Sequence, residues 1–193
     1  MTDITSDSVP GRRNARSPSS ARSTNGAGPD AAEDPAREEL VACAELLFFA
    51  YRDFTGDPDA VLEEYGFGRA HHRVLHFVNR QPGLRVADLL DILKITKQSL
   101  ARVLKQLIGK GFILQRAGND DRRERRLFVT AKGARLADKL TALQIKRIEA
   151  ALAKAGPGAR ELTRRFLFAM IAESDRARVE ALLKVHPGTP SAG

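Results

Sequence analysis

Leu40, Ala44, Leu47, Tyr51 and Phe54 recur at three- and four-residue steps and predict one apolar stripe of a helix. Pro35 suits a first helical turn, and Glu38 and Glu39 favour the positive end of the helix dipole. Thr55-Gly56-Asp57-Pro58 predicts a break, with a short helix to Tyr65 and a second break at Gly66 and Gly68. Arg69 to Asn79 reads as a third helix, with Val74, Leu75, Phe77 and Val78 facing inward and Gln81-Pro82-Gly83 ending it. Val86, Leu89, Leu90 and Leu93 follow at i, i+3, i+4, i+7 spacing. After Lys94-Ile95, Thr96 is the expected N-cap of a helix running to about Lys110, with Gly111 as its stop. That helix has a predicted buried face of Leu100, Val103, Leu104, Leu107 and Ile108. Its other face carries Lys97, Gln98, Ala101, Arg102 and Lys105. An apolar side that anchors and a cationic, hydrogen-bonding side that reaches out is what a DNA recognition helix requires.

Phe112 to Gln115 and Arg126 to Val129 are β-prone runs separated by polar and basic residues, which predicts a hairpin with a basic tip. Thr130 is the expected N-cap of a long helix that carries Leu136, Leu140, Leu143 and Ile148 toward Ala155. Gly156-Pro157-Gly158 breaks it, and Leu162 to Ile171 and Val179 to Leu183 supply further amphipathic helix. The chain shows no internal repeat.

Charge sharpens this picture. The net charge is +8, and between Lys94 and Arg126 ten basic residues face three acidic ones, so that stretch carries +7 of it. A basic excess confined to one stretch is an electrostatic footprint for a polyanion. Residues 1–35 hold almost no large apolar side chains and read as a disordered polar tail, whose Arg12, Arg13, Arg16 and Arg22 can meet phosphates. Residues 187–193 read as a disordered end. No apolar run approaches a membrane span, and Met1 to Pro10 do not read as a signal peptide, so the expected location is the cytoplasm, with no membrane partner. The single cysteine, Cys43, excludes an internal disulfide. No Ser/His/Asp spacing, Gly-rich phosphate loop or paired-carboxylate motif appears, so neither an enzyme nor a cofactor is expected.

The stretch Asp121-Arg122-Arg123-Glu124-Arg125-Arg126-Leu127-Phe128-Val129-Thr130, followed by Ala131-Lys132-Gly133, is similar to the wing signature of the MarR family of winged helix-turn-helix regulators. Gly68 to Phe77 and the turn Lys94-Ile95-Thr96-Lys97-Gln98-Ser99 resemble the PetP-like branch of that family. The resemblance implies a mainly α (α+β) fold: a winged helix-turn-helix with a two-stranded β-hairpin wing and long N- and C-terminal dimerisation helices. Its parts are a domain over 36–186, a winged helix-turn-helix at about 69–130, and dimerisation helices at about 36–55 and 131–186. It further implies a homodimer that represses by occupying palindromic double-stranded DNA and is released by a small aromatic or phenolic effector. Lys97, Gln98 and Arg102 are the expected base readers, since Gln pairs with adenine and Lys or Arg with guanine. Lys105 extends their face, and Thr96 and Ser99 either contact phosphate or cap the helix. On the wing, Arg123 is the residue the family places in the minor groove, with Asp121 orienting it or Arg122. Arg125 and Arg126 alternate along a strand, so one of the two faces DNA.

The terminal segments, Glu38 to Phe54 and Leu162 to Leu183, carry Phe48-Phe49 and Phe166-Leu167-Phe168, too apolar all round for a one-sided surface helix. His72 and His76 stand at i, i+4, but a polar or core helix face explains them better than a metal site. Cys43 is expected to be a buried small residue, with a thiol-based redox sensor as the alternative. A DNA-binding architectural protein without a ligand is the other.

Overall fold

The computed structural model describes residues 34–118 and 124–184. The chain divides into two compact units, Met1–Val41 and Ala42–Gly193. The described part of the first is the opening of helix α1 (Pro35–Glu63), where Asp34 Oδ1 accepts from the Ala36 amide at 3.1 Å. Everything below concerns the second unit.

Helix α1 runs unbroken through the break predicted at residues 55–58. An interior proline costs a helix about 3 kcal/mol, because it lacks an N–H and its ring crowds the preceding turn. Here Thr55, Pro58 and Leu62 form a buried face, Pro58 fully so, and that burial opposes the cost. Thr55 turns its hydroxyl inward and donates to the Tyr51 carbonyl at 3.0 Å. Packing overrides propensity at this point.

Helices α2 (Arg69–Arg80), α3 (Val86–Leu93) and α4 (Lys97–Gly109) lie within a residue or so of the predicted bounds. Val74, Leu75 and Val78 of α2, Leu89 and Leu93 of α3, and Leu100, Val103, Leu104 and Leu107 of α4 are buried together in one core. Phe77 is half-buried against that core. Ile108, assigned to the buried face of α4, is 36% exposed. It stands one position beyond Leu107 and turns toward the hairpin side of the helix.

Strands β2 (Ile113–Ala117) and β3 (Arg125–Val129) form the hairpin, paired from Ile113↔Val129 to Ala117↔Arg125. The sheet has a third strand that the residue pattern does not predict. Strand β1 (Leu84–Arg85) pairs antiparallel with β3 through Leu84↔Leu127 and Arg85↔Arg126, giving the order β1-β3-β2. Two residues are too few to display the alternation by which strands are recognised.

Helix α5 (Ala131–Ala155) starts directly from the wing. The Thr130 hydroxyl accepts from the Gly133 amide at 3.0 Å and donates to the Gly111 carbonyl at 2.8 Å. One side chain thus caps α5 and ties it to the end of α4. Phe112 begins the strand side of this joint and meets the rings of Phe67 and Tyr65 edge-on at 5.1 and 5.5 Å. Helices α6 (Ala159–Ala169) and α7 (Glu173–Lys184) complete the described chain.

Candidate nucleic-acid interface

The turn between α3 and α4 is short and fully specified. Lys94 caps α3 in the left-handed conformation, φ 51° and ψ 44°. Thr96 opens α4: its hydroxyl accepts from the Ser99 amide at 3.1 Å and lies 2.9 Å from Ser99 Oγ. Thr96 and Ser99 are therefore engaged as a cap. The side chains of Lys97, Gln98, Arg102 and Lys105 are exposed and make no hydrogen bond or ion pair with the other described residues. Four hydrogen-bonding heads thus stand on one helix whose opposite face is sealed into the core.

Beside α4 lies a groove of about 560 Å³ with an apolar floor that includes Val86, Leu90 and Leu104. Lys97 and Lys105 stand on its helix side, and Gln115 and Arg125 on its strand side. The hairpin thereby brings Arg125 across from two lysines of α4. Register decides which strand arginine is available. Arg126 is bound by Glu124 at 2.7 Å, and the other Glu124 oxygen lies 3.7 Å from Arg85, the residue that pairs with Arg126 across the sheet. Arg85 is gripped in turn by Asp88 through bonds of 2.7 and 2.6 Å, which hold its pKa above, and that of Asp88 below, the ordinary value. Arg116 rests over the Phe128 ring at 5.2 Å. Arg125 has no such partner among the described residues. Asp121, Arg122 and Arg123 lie outside the described residues.

A helix-turn-helix with an outward cationic face, followed by a hairpin that runs straight into a long helix, has counterparts among known proteins. Residues 65–124 match the model of the MarR family. The chain is 47% identical over 145 residues to the HTH-type transcriptional regulator PetP of Rhodobacter capsulatus, covering 75% of this chain and 87% of that protein. It belongs to the MarR family. A crystal structure of MarR superposes with a TM-score of 0.56 at 22% identity, covering 77% of this chain and 97% of that one. A SlyA-like transcription regulator from Listeria monocytogenes gives 0.54 at 19%, with the same two coverages. These two likenesses concern the fold. The MarR-family winged helix of DNA-binding transcription regulators is thus present, its sheet having three strands and not the two expected from the sequence.

A second cavity, of about 540 Å³, opens among α1, α2 and α5, lined by residues that include Tyr51, Phe54, His72, His76 and Phe77. Arg69 stands at it, bonded to Asp59 at 2.8 Å and 5.5 Å above the Tyr51 ring. His72 is buried, and His76 half-buried. Loss of water lowers the pKa of both below the ordinary value. For His76 the neighbouring His72 and Arg80 lower it further, whereas Asp59 partly restores that of His72. Among the described residues no three His, Cys, Asp or Glu side chains gather at metal-binding range. His71 has a separate role: its Nδ1 accepts from the Gly68 amide at 3.1 Å at the start of α2, and its ring stacks on Phe67 at 4.7 Å.

The lowered pKa values fix a pH dependence. The unfolded chain takes up protons at His72 and His76 at higher pH than the folded one. Stability is therefore complete above the unfolded value of about 6.5, and falls as pH drops from there through the folded values. Urea unfolding is expected to show a smaller midpoint at pH 5 than at pH 7.5, with the difference reduced in His72→Gln/His76→Gln. An equal difference in that variant would place the acid sensitivity elsewhere.

Cys43 is exposed, contrary to the expected burial. In α1 only Thr55, Pro58 and Leu62 are buried, so the turn that carries Cys43 meets no core. The same holds for the large apolar residues nearby. Phe48 is 73% exposed, and Leu46, Phe49 and Tyr51 are exposed with it; on α6, Leu162, Phe166 and Leu167 are likewise uncovered. Apolar surface concentrated on two helices marks an interaction face.

Proposed function

We propose that the protein is a homodimeric, sequence-specific transcriptional repressor that reads a pseudo-palindrome with α4 and the wing and is released by a small aromatic or phenolic effector. The observation that carries this reading is the unpartnered face of α4, Lys97, Gln98, Arg102 and Lys105, standing opposite Arg125 of the wing. Phosphate contacts from the cations set register, and Gln98 and Arg102 near the helix start read base edges in the major groove. The uncovered apolar residues of α1 and α6 meet those of a second copy, and the cavity among α1, α2 and α5 takes the effector between its aromatic walls. The protein works in the cytoplasm, where among its described helices none is long and apolar enough to cross a membrane. It performs no catalysis. Exposure of Cys43 favours one second reading, in which peroxide oxidises that thiol and releases DNA; undiminished release by peroxide from Cys43→Ser would dismiss it.

Selection of bound sites from a random duplex pool tests the main reading. It is expected to return an inverted repeat with half-sites about 10 bp apart, one helical turn. Recovery of duplexes with no common sequence would indicate an architectural protein instead. On the selected site, Gln98→Ala and Arg102→Ala are each expected to lose about 1–3 kcal/mol of discrimination at one base pair. Full retention of preference at every position in both variants would move the reading surface off α4.

The wing-tip roles of Asp121, Arg122 and Arg123 belong to the same proposal. Arg123→Ala is expected to lower the slope of log affinity against log salt by about one unit, with a larger loss on A·T-rich flanks than on G·C-rich ones. Asp121→Asn should give a milder loss, since it alters orientation and leaves the arginine. An unchanged slope and affinity for Arg123→Ala would make the tip structural.

A further inference from the structure

Helix α7 holds two other helices by their C-terminal ends. Arg176 donates to the carbonyls of Ala169 and Ile171, at 3.0 Å each, where α6 stops. Two residues on, Arg178 Nη1 donates to the Asp91 carbonyl at 3.0 Å, in the last turn of α3. Carbonyls there have no partner within their own helix, and a cation also meets the negative end of the helix dipole. Asp175 lies 3.2 Å from Lys94 Nζ, and Lys94 is the described non-glycine residue with positive φ, at the hinge between α3 and α4. Apolar packing contributes little on this side, since no residue of α7 is buried, and an open cleft of about 280 Å³ runs between α7 and α3. The polar bonds therefore set the distance. Lys94 is followed after one residue by Thr96, the cap of α4, so a shift at the end of α3 passes directly to α4.

We propose that α7 is a bracket that positions the helix-turn-helix, with Arg178 and Asp175 acting through the Asp91 carbonyl and Lys94 to fix the angle at which α4 meets DNA. Because α6 carries exposed apolar residues, the bracket also connects the dimer face to the reading head. The inference rests on α4 being the DNA reader.

The test uses the full chain and its selected duplex. Arg178→Ala is expected to bind about fivefold more weakly at every salt concentration, with the salt slope unchanged because no phosphate contact is lost. Amide exchange from Leu93 to Thr96 should quicken while that of α2 does not, and Arg178→Lys should recover part of both effects. Asp175→Asn, which removes the charge with little change of shape, should move both readouts in the same direction. Unchanged affinity and unchanged exchange in Arg178→Ala would overturn the bracket. So would a slope lower by about one unit, since Arg178 would then be a phosphate contact. Arg102→Ala in parallel separates the two ideas. If it leaves binding untouched, the reading of α4 fails, while the exchange at Leu93 to Thr96 still decides whether α7 holds the turn.

Discussion

Gly133→Ala is expected to lower folding stability by about 3 kcal/mol or more, although alanine is the better helix former by about 1 kcal/mol. A Cβ at this position would stand 2.0 Å from the Phe112 carbonyl oxygen and 3.0 Å from its carbon. Those atoms are backbone, and the same carbonyl is held by the Thr130 amide at 3.0 Å, so it has nowhere to yield. The first turn of α5 would have to lift from Phe112, just ahead of β2, breaking the Thr130 cap and the joint that sets the wing against α4. Gly109→Ala provides the internal control, because its Cβ meets nothing within 4 Å. That substitution is expected to be neutral or to stabilise by up to about 1 kcal/mol. Urea unfolding of the two variants checks the contrast, and equal stabilities would show that α5 has room to spare against the Phe112 carbonyl.

Phe166→Glu is expected to convert the protein to a monomer at micromolar concentration and to weaken binding to the full palindrome by about 100-fold or more. Phe166 is 53% exposed within the chain, so little folding free energy depends on it. In the dimer it would be covered, and a glutamate there would bring an unpaired charge into an apolar face. Two joined half-site readers gain an effective concentration that separate chains lack, and a factor of 10² to 10⁴ is the usual scale of that gain. Phe48→Glu on α1 should act in the same way. Sedimentation measures the assembly state, and a native far-UV circular dichroism spectrum with a cooperative, if lower, melting transition confirms that the fold survives. A Phe166→Glu/Phe48→Glu protein that remains dimeric would remove these helices from the interface.

The form of the helix-turn-helix is legible in the sequence because each of its signals is local. The 3–4 spacing of Leu100, Val103, Leu104 and Leu107 identifies the buried side of α4, Thr96 marks its start, and the polar residues between them end up exposed. Other features depend on partners distant along the chain. Pro58 looks like a break until its burial is known, and β1 exists only through two pairs with β3. Glu124, which decides that Arg125 and not Arg126 stays available, works by a contact with no sequence pattern of its own. Arg178 reaches a carbonyl 87 residues away, and nothing in its surroundings distinguishes it from other surface arginines. Residue type points Cys43 to the interior, and helical spacing points Ile108 there. They lie outside because the core engages only the last turns of α1 and one narrow face of α4.

The proposed function requires two copies of this chain to read two half-sites through α4. Titration of the selected inverted repeat, with sedimentation of the complex, tests it most directly when the half-site spacing is varied in whole and half helical turns. Two chains per duplex are expected, with tight binding at about 10 bp between half-site centres and loss of that affinity at about 15 bp, where the second half-site faces away. One chain bound to a single half-site, with affinity indifferent to spacing, would contradict it.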